Sequence, residues 1–425
     1  MKTVAFYTLG CKVNQYDSEA MLDEFIKEGF TELEADKKAD VYVINTCVVT
    51  NTGERKSLQM VRRCRKINPE AFIIIAGCLA QREADNLLNK GADLVIGNSR
   101  RKDIVKLYKK ALMQKQGLSA VESIKKADFE PLSVENYSHK TRAILKIQEG
   151  CDRFCTYCII PYVRGGIRSR KLQSIIKESS NFIAQGYKEI VLTGIHLSSY
   201  GKDLKDLSLI DAIRAAAQDG LYRLRLGSLE PVAITEEFVK SLSQIPSICP
   251  QFHLSLQSGS DSVLKRMGRR YSTEEFKNAV ALLRKYFKDP AITTDIICGF
   301  PGETEEEHMQ SLEFVKEIQF AKVHVFPYSR RSGTKAAAMP EQIKKEIKNS
   351  RAHDMIKIGE YSQQKYAESF LNKTMPVLYE EEYKDGAAGY TDNYLRVETI
   401  GAKPNSILNT RLVSYNNGVF IGRLE

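Results

Sequence analysis

The sequence lacks any run of about 18 apolar residues free of charge, which excludes a helix able to span a bilayer. Its start, MKTVAFYTLGCK, has neither the apolar run nor the small-residue cleavage site of a secretory signal. Both absences predict a cytoplasmic protein. Nine cysteines in such a protein argue against a disulfide framework and favour metal ligands or buried thiols. The spacing of the cysteines must separate these two possibilities.

The charge of the chain is its second broad feature. Lys and Arg number 63 against 53 Asp and Glu, which gives a formal net charge of +10. A positive field of this kind raises the local concentration of a polyanion, so it favours nucleic acid as a partner. The same charge fits a basic enzyme with solvated lysines. Charge alone therefore leaves both interpretations open.

The order of apolar runs predicts an α/β protein of three units. Residues 4–98 alternate β-rich runs with helical patterns around 18–27 and 54–66, which is typical of a doubly wound parallel sheet. Six apolar runs between 143 and 329 predict a partial (β/α)6 barrel, with its chemistry at the carboxyl ends of the strands. After a helical stretch at 341–368, short runs between Gly and Asn turns predict a small all-β barrel. We place the units at 1–112, 137–368 and 369–425, with a polar linker at 113–136.

Three cysteines form a tight motif directly after the first predicted barrel strand. Cys151, Cys155 and Cys158 stand in CDRFCTYC, with the spacing CxxxCxxC. Thiolates are the natural ligands of iron–sulfur clusters, whereas zinc usually takes a closed set of four ligands. A four-iron cluster on three thiolates keeps one iron open for S-adenosylmethionine (SAM), and this motif is the signature of radical SAM enzymes. The alternatives are three packed cysteines, or a zinc site with a distant fourth ligand.

A second set of cysteines follows three different strands of the first predicted sheet. Cys11, Cys47 and Cys78 each stand at the carboxyl end of their strand. These ends open onto one crevice in a parallel sheet, so the three thiols are expected to converge. Buried cysteines are also common in ordinary cores. Cys64, Cys249 and Cys298 lack such placement, and we assign them to packing.

The motifs taken together resemble those of the radical SAM methylthiotransferase family, and the resemblance covers essentially the whole chain. They are TLGCKVNQYDSE (8–19), NTCVVT (45–50), AGCLAQR (76–82), EGCDRFCTYCIIPYVRGGIRSR (149–170), RLGSLEP (225–231), LQSGSDSVLKRMGRRY (256–271), CGFPGET (298–304) and FPYSRRSGTKAA (326–337). The resemblance implies a methylthiotransferase domain, a radical SAM barrel and a C-terminal TRAM domain that binds RNA. It also implies two [4Fe-4S] clusters, one on each cysteine set, and two SAM molecules per turnover.

The family resemblance also implies the reaction and a SAM pocket. A radical made from SAM at the first cluster attacks C2 of an adenine, and the second cluster supplies a methylated sulfur. The positions that would line the SAM pocket follow the barrel strands, and they are Tyr157, Thr193, Gly194, Ser228, Glu230, Gln257, Gly299 and Pro301. Each position has an ordinary alternative, since aromatic residues fill cores and Gly and Pro make turns.

The string around the first cysteine bears on the substrate. LGCKVNQYDSE resembles the members of the family that act on N6-threonylcarbamoyladenosine at position 37 of tRNA. Members acting on isopentenyladenosine more often show GCQMN, and those acting on an aspartate of a ribosomal protein show GCPKN; Lys12 and Val13 depart from both. The alternative from another class is a non-catalytic iron–sulfur protein that binds RNA.

Basic residues near the motifs are the predicted contacts to the tRNA anticodon stem-loop. Guanidinium groups pair with phosphates and stack on bases, although a solvated surface role is the alternative for each one. The predicted contacts are Arg62, Arg63, Arg164, Arg168, Arg170, Arg330 and Arg331. In the C-terminal unit, Arg396 and Arg411 stand with Tyr390, Tyr394 and Tyr415 in a mix that fits RNA or a barrel core. The chemistry further calls for an electron donor such as flavodoxin or ferredoxin.

Overall fold

The computed structural model describes residues 2–48, 51–114, 116–125, 127–135 and 141–425, and it describes only the backbone of 51–54. Some sequence predictions lie outside these described residues. They are the last two positions of the NTCVVT motif, positions 115, 126 and 136 of the predicted linker, and the start of the predicted central unit at 137–140.

The first unit is a six-stranded parallel sheet covered by helices. Its strands are β1 (Thr3–Thr8), β2 (Thr31–Leu33), β3 (Val41–Thr46), β4 (Phe72–Gly77), β5 (Leu94–Ile96) and β6 (Leu118–Ala120), and its helices are α1 (Lys12–Lys27), α2 (Asn51–Ile67), α3 (Cys78–Asn89) and α4 (Ile104–Gln114). The strand order is β2-β1-β3-β4-β5-β6, with every pair parallel. The inner strands β3 and β4 are buried almost throughout, as expected where helices cover both faces of a parallel sheet.

One helix of this unit begins earlier than predicted, and the predicted linker, for which the sequence also allowed a strand, contains one. Helix α1 begins at Lys12 and not near Ser18. The prediction missed its first turns because they bury the polar residues Asn14 and Asp17. Buried polar residues hide the apolar periodicity on which the prediction rested. Strand β6 lies inside the predicted linker and pairs with β5, so this segment adds an edge strand to the sheet.

The central unit is a partial barrel of parallel strands. Its strands are β7 (Arg142–Glu149), β8 (Arg168–Ser169), β9 (Glu189–Gly194), β10 (Arg223–Leu226), β11 (Gln251–His253), β12 (Ala291–Cys298) and β13 (Lys322–Pro327). Its helices are α5 (Ile160–Arg164), α6 (Leu172–Ala184), α7 (Leu209–Ala216), α8 (Glu236–Ser243), α9 (Asp261–Met267), α10 (Thr273–Tyr286), α11 (Glu305–Ile318), α12 (Lys335–Ala338) and α13 (Lys345–Glu368). One sheet has the order β10-β9-β7-β8 and the other β11-β12-β13, and parallel bridges such as Leu229 to Leu254 join them. All six predicted strands are confirmed, and β8 is a short antiparallel addition.

Local sequence signals set the ends of the outer helices. Ser272 with Glu275 and Thr304 with Glu307 form capping boxes at the starts of α10 and α11. The apolar faces of the helices then pack on the strands in one core that includes Phe252.

The C-terminal unit is a closed five-stranded barrel, as predicted. Its strands are β14 (Thr374–Tyr383), β15 (Gly386–Thr391), β16 (Arg396–Ile400), β17 (Ser406–Asn416) and β18 (Val419–Leu424), in the order β14-β15-β16-β18-β17. Alternate residues such as Val377, Tyr379, Leu412 and Phe420 fill its interior. The architecture is that of a TRAM-like domain.

The small barrel docks on the amino ends of β7, β9 and β10, opposite the end that carries the cysteine motif. Arg223 donates to the backbone oxygens of Tyr390 (2.9 Å) and Pro376 (2.7 Å), and Arg225 donates to that of Asp392 (2.9 Å). Glu189, buried beneath, pairs with Arg225 at 2.7 Å. Arginines near the amino ends of the central-barrel strands therefore hold the C-terminal barrel in place. No helix in the described ranges is long and apolar enough to cross a membrane.

Candidate functional site

The CxxxCxxC motif occupies the loop that leaves the carboxyl end of β7. The turn into this loop needs a glycine at position 150, which has φ +74° and where a Cβ atom would come 1.8 Å from the Gly166 oxygen. The Cys151 amide donates to the Gly165 oxygen at 3.0 Å, and the Cys158 amide donates to the Cys155 oxygen at 2.9 Å. The backbone thus brings the three cysteines of the motif into one compact loop.

Burial governs the chemistry of these thiols. It raises the pKa of Cys158 to about 12 and that of Cys151 to about 11, and the neighbouring thiols of the motif contribute to both increases. The thiols are therefore close enough to act on one another. Binding iron requires thiolates, so loading a metal here releases protons.

Cys155 connects the motif to a charged group at the end of β10. Arg269 donates to the Cys155 sulfur at 3.3 Å and lies 3.2 Å from a carboxylate oxygen of Glu230. His196 and Arg153 also contact this carboxylate. Burial alone would raise the pKa of Glu230, but contacts with His196, Arg269 and Arg153 hold it at about 2. Glu230 is one of the positions predicted to line the SAM pocket, and it is ionised beside the motif.

The remaining predicted SAM positions stand at the same end of the barrel, and their role in binding SAM stays a prediction. Thr193 is buried, and a Cβ atom at Gly194 would come 2.9 Å from the Gln148 side chain. Tyr157 packs edge to face on Phe300, with ring centroids 6.5 Å apart. Of the others, Ser228 is exposed, Pro301 is buried, and Gln257 and Gly299 have positive φ.

The second cysteine set converges at the carboxyl ends of β1, β3 and β4, three neighbouring strands. Gly10 has φ +105°, and a Cβ atom there would come 3.1 Å from the Cys47 sulfur, which places Cys47 beside the Gly10–Cys11 turn. Asn14 holds the two loops together, because its amide donates to the oxygens of Leu9 (2.7 Å) and Thr46 (3.0 Å).

Cys78 is the buried member of this set. Burial raises the pKa of its thiol, Arg164 lowers it, and Cys11 raises it, so both groups lie near the sulfur. Arg164 donates from Nε to the Cys78 sulfur at 3.2 Å. The Asn98 amide lies 3.9 Å from the same sulfur. Cys11 is exposed and Cys47 half-buried, so this group of thiols is reached from solvent on one side.

Both cysteine sets fit iron–sulfur clusters better than single metal ions. Within the described ranges, no three His, Cys, Asp or Glu side chains surround a point where one ion would bind. In a cluster each thiolate binds a different iron, so the sulfur atoms stand farther apart than around one ion. The donors in each set are thiols only, which suits iron–sulfur chemistry. The other three cysteines, Cys64, Cys249 and Cys298, are buried.

The predicted RNA contacts divide into two groups. Arg62, Arg63 and Arg330 are exposed and stay predictions. Four others are buried, with at most 6% of their surface exposed: Arg164, Arg168, Arg170 and Arg331. Arg164 and Arg170 form ion pairs with Glu149 and Glu178, and Arg168 donates to the Arg164 oxygen at 2.7 Å. The interpretation of these four arginines as RNA contacts is wrong, because the protein itself covers them.

For the tyrosines of the C-terminal unit, the sequence left RNA binding and barrel packing both open. Tyr390 and Tyr394 stack on each other with centroids 4.6 Å apart. Arg142 lies 5.4 Å from both rings, and Arg225 lies 4.6 Å from that of Tyr394. These two tyrosines therefore take part in docking the small barrel. Tyr415 packs on the barrel residue Phe420.

The sequence reasoning missed an aromatic pair beside the motif. Phe154, between the first two cysteines, is 50% exposed, and Tyr162 on α5 is 48% exposed. Exposed rings next to a reactive loop are able to stack on a nucleic-acid base. The available signal was a phenylalanine inside the polar string CDRFC, next to the predicted site.

Comparisons with known proteins cover the whole chain. Residues 3–97 match the uncharacterized protein family UPF0004, and residues 145–315 match the radical SAM superfamily. The chain is 41% identical to the threonylcarbamoyladenosine tRNA methylthiotransferase MtaB of Bacillus subtilis, over 100% of this chain and 98% of that protein. It is 36% identical to the protein of the same name from Thermotoga maritima, over 97% and 95%. It is 34% identical to the tRNA-2-methylthio-N(6)-dimethylallyladenosine synthase of Clostridium tetani, over 94% and 90%.

Two solved structures share the fold at low sequence identity. The radical SAM methyltransferase TsrM from Kitasatospora setae aligns with a TM-score of 0.59 and 15% identity, over 79% of this chain and 74% of that one. The cobalamin-dependent radical SAM enzyme OxsB aligns with a TM-score of 0.53 and 12% identity, over 85% and 56%. At this identity the likeness concerns the fold alone.

Proposed function

This chain belongs to the radical SAM methylthiotransferase family, and from that membership we propose that it adds a methylthio group to C2 of N6-threonylcarbamoyladenosine at position 37 of tRNA. The family relationship extends over all three units of the chain. The full-length relatives at 41% and 36% identity carry the threonylcarbamoyladenosine name. The chain is therefore a transferase of this family, and the adenosine it modifies is the part that needs support.

The family uses two [4Fe-4S] clusters and SAM. We propose that Cys151, Cys155 and Cys158 hold one cluster and that the second set, Cys11, Cys47 and Cys78, holds the other. When bound, these groups supply the electron, the radical and the sulfur needed to change an unactivated C–H bond, for which side chains alone have no chemistry. The side chains of the protein itself would bind and orient the substrate and keep water out of the site. Arg269 and Glu230 form the charged rim of the first site, and Phe154 with Tyr162 offers a surface for a base that leaves the anticodon loop.

The observation that carries the choice of adenosine is the position of Lys12. This residue follows Cys11 at the first turn of α1. Lys12 is exposed as a residue, but partial desolvation of its ammonium lowers the pKa, Arg142 and Arg225 lower it further, and Glu189 raises it. The ammonium therefore lies near charged residues of β7, β9 and β10. Its charge also acts on His324 of β13. Lys12 therefore lies near residues of β7, β9, β10 and β13.

Lys12 also differs from its cationic neighbours in having no ion pair within the described residues. Arg142 pairs with Glu380, and Arg225 pairs with Glu189. Glu189 acts on Lys12 from beyond ion-pair distance and already pairs with Arg225, so the group of cations still favours an anionic ligand. The threonylcarbamoyl group carries a carboxylate, whereas the isopentenyl group is apolar. Lys12 therefore favours threonylcarbamoyladenosine over the isopentenyladenosine alternative.

We also propose the partners of the protein and its location in the cell. The proposed RNA contact is the anticodon stem-loop, the proposed electron donor is a flavodoxin or a ferredoxin, and the proposed location is the cytoplasm, where tRNA is modified. The accessible arginines Arg62, Arg63 and Arg330 are the proposed phosphate contacts.

Mass spectrometry of tRNA nucleosides tests the function directly. Cells that lack the gene should lose 2-methylthio-N6-threonylcarbamoyladenosine and accumulate its precursor, while 2-methylthio-isopentenyladenosine stays unchanged. Loss of the isopentenyl product would point to the alternative adenosine. If no nucleoside changes, while purified reduced protein fails to cleave SAM, the chain would be a non-catalytic RNA-binding protein.

A further inference from the structure

Arg164 is a buried arginine that lies between the two cysteine sites. It ends α5, six residues after Cys158, and its side chain is 1% exposed. Its Nε donates to the Cys78 sulfur at 3.2 Å, and its Nη1 donates to Glu149 at 2.7 Å. Its Nη2 donates to the side-chain oxygen of Asn14, the residue that joins the loops of Cys11 and Cys47. One guanidinium group thus contacts a thiol of the second set and the strand that leads into the first.

Glu149 is the acceptor that links Arg164 to the first site. It is the last residue of β7, two positions before Cys151. Its carboxylate lies 2.7 Å from Arg164, 3.3 Å from Lys146 and 3.4 Å from Arg101. The three cations surround Glu149 and fix its position beside Arg164. Movement of Arg164 would move both this carboxylate and the Cys78 sulfur.

The first unit supplies the rest of this buried network. Asp17 of α1 pairs with Arg101, Lys146 and Arg164. Arg168, also buried, donates to the Arg164 oxygen, and two of its guanidinium nitrogens have no hydrogen-bond partner within the described residues. Glu130 also pairs with Arg101, at 2.8 Å, so the network holds the four cations Arg101, Lys146, Arg164 and Arg168 against three carboxylates. This excess of positive charge suits an anionic group at the Cys78 sulfur.

We infer that Arg164 is a positioning residue shared by the two cysteine sites: it aligns Cys78 with the loop that carries Cys151, and its charge favours the reduced state of a cluster bound at Cys78. This inference rests on the proposed assignment of Cys78 as a cluster ligand. Hydrogen bonds and positive charge at a cysteine sulfur stabilise the more negative, reduced cluster and so raise its reduction potential. The fork geometry of arginine lets one side chain serve Cys78 and Glu149 together, which lysine cannot do.

The test measures the potential of the second cluster in full-length protein. Cys151, Cys155 and Cys158 are first replaced by alanine, so that only the second cluster remains, and the midpoint potential is followed by electron paramagnetic resonance. Arg164→Gln in this background should make reduction at least tenfold less favourable, which is about 59 mV more negative for one electron. Arg164→Lys keeps the charge and should give a smaller shift, and it also serves if the glutamine variant fails to fold.

Arg170→Gln is the matched control. Arg170 is equally buried, and it joins the same two units through Glu178 and Tyr16, but among the described residues it makes no hydrogen bond to a cysteine sulfur. The Arg170→Gln variant should lower the melting temperature as Arg164→Gln does, and it should leave the midpoint potential of the second cluster unchanged. Equal potentials in the Arg164 variants and the parent protein, with iron retained, would overturn the inference. Failure of the ligand assignment has a separate signature, because Cys78→Ala would then retain all the iron of the second cluster.

Discussion

Phe154 and Tyr162 meet edge to face beside the CxxxCxxC motif, with their ring centroids 5.6 Å apart. Both rings are about half exposed, and Phe154 keeps a left-handed backbone, φ +49°, that turns it out of the loop. Such a pair is able to stack on an RNA base. Tyr162→Ala should weaken tRNA binding roughly tenfold, a loss of about 1.4 kcal/mol in binding free energy. Stacking of one base on an aromatic ring typically contributes about 1–3 kcal/mol.

The measurement is a binding titration with tRNA, run together with an assay of SAM cleavage without tRNA. Cleavage should be unchanged, because Tyr162 lies outside the charged rim formed by Arg269 and Glu230. Tyr222→Ala is the control, since this tyrosine is 66% exposed and far along the chain from the motif. Equal losses of binding in the two variants would refute a role for the aromatic pair.

Lys12 should determine which adenosine is accepted. Lys12→Met removes the charge but keeps the length of the side chain, and should reduce kcat/KM on threonylcarbamoyladenosine tRNA by at least about tenfold, which is about 1.4 kcal/mol of lost transition-state stabilisation. Activity on isopentenyladenosine tRNA should not fall in parallel, because that substituent has no carboxylate.

Lys27→Met is the matched control for this change. Lys27 ends the same helix and forms exposed ion pairs with Glu24 and Glu135, which contribute little to stability. It should leave both kinetic constants unchanged. Identical loss of activity on both tRNAs in Lys12→Met would show that Lys12 supports the neighbouring Cys11 and does not select the substrate.

Arg411 and Arg423 should bind RNA phosphate on the small barrel. They face each other across β17 and β18, and neither has an ion pair within the described residues. Like charges directly opposite each other destabilise a strand pair, so an external anion is expected there. Changing both to Gln should reduce the salt dependence of tRNA binding, by a slope of about 0.7 for each phosphate that the protein no longer neutralises.

Point variants test the small barrel better than its deletion. Truncation from Leu371 would expose Arg223 and Arg225, whose hydrogen-bond acceptors lie in the barrel. Arg396→Gln is the control for the pair, because Arg396 already pairs with Glu381 and Glu398. A salt slope that is the same in all variants would mean that this face does not bind RNA.

Glu189 should stabilise the docked small barrel in a pH-dependent way. Burial opposes its charge, but Arg225, Arg142 and Arg223 lower its pKa below the ordinary 4.5. Its contribution is therefore present above pH 4.5 and is lost as the pH falls through the lowered value. Glu189→Gln should reduce the free energy of unfolding by about 3–5 kcal/mol near neutral pH, since it leaves buried arginines unpaired.

The chain has no tryptophan whose fluorescence could follow unfolding. The measurement is therefore urea unfolding followed by circular dichroism at several pH values. The difference between Glu189→Gln and the parent protein should narrow below pH 4.5. Glu381→Gln, in an exposed pair, should have an effect of about 1 kcal/mol or less. A difference that does not change with pH would refute the electrostatic explanation.

The sequence predicted the architecture well, because periodicity reports on exposure. The alternation of strand and helix patterns yielded the parallel sheet of the first unit and all six barrel strands, and the tight spacing of Cys151, Cys155 and Cys158 marked their loop. Convergence of Cys11, Cys47 and Cys78 followed from one topological rule, that parallel strands share a carboxyl edge.

The sequence could not show which charged residues are buried between units. Arg164 and Arg170 follow the cysteine motif in a basic string that looks like a surface patch, yet α1 and its neighbours cover them. Their partners Glu149, Glu178 and Tyr16 lie up to 154 residues away along the chain, and no local pattern records such pairs. The contacts of Tyr390 and Tyr394 with Arg142 and Arg225 were equally out of reach, since these arginines belong to another unit.

The central claim is that the two cysteine sets have separate tasks, and replacing Cys11, Cys47 and Cys78 by alanine tests it most directly. Because the CxxxCxxC loop does not depend on these thiols, the reconstituted variant should keep about half the iron of the parent protein, as one of two equal clusters would remain. Reduced with dithionite, it should still form 5′-deoxyadenosine from SAM, and it should yield no methylthio nucleoside on tRNA. Loss of both activities in a folded variant, or formation of the methylthio product, would contradict the account.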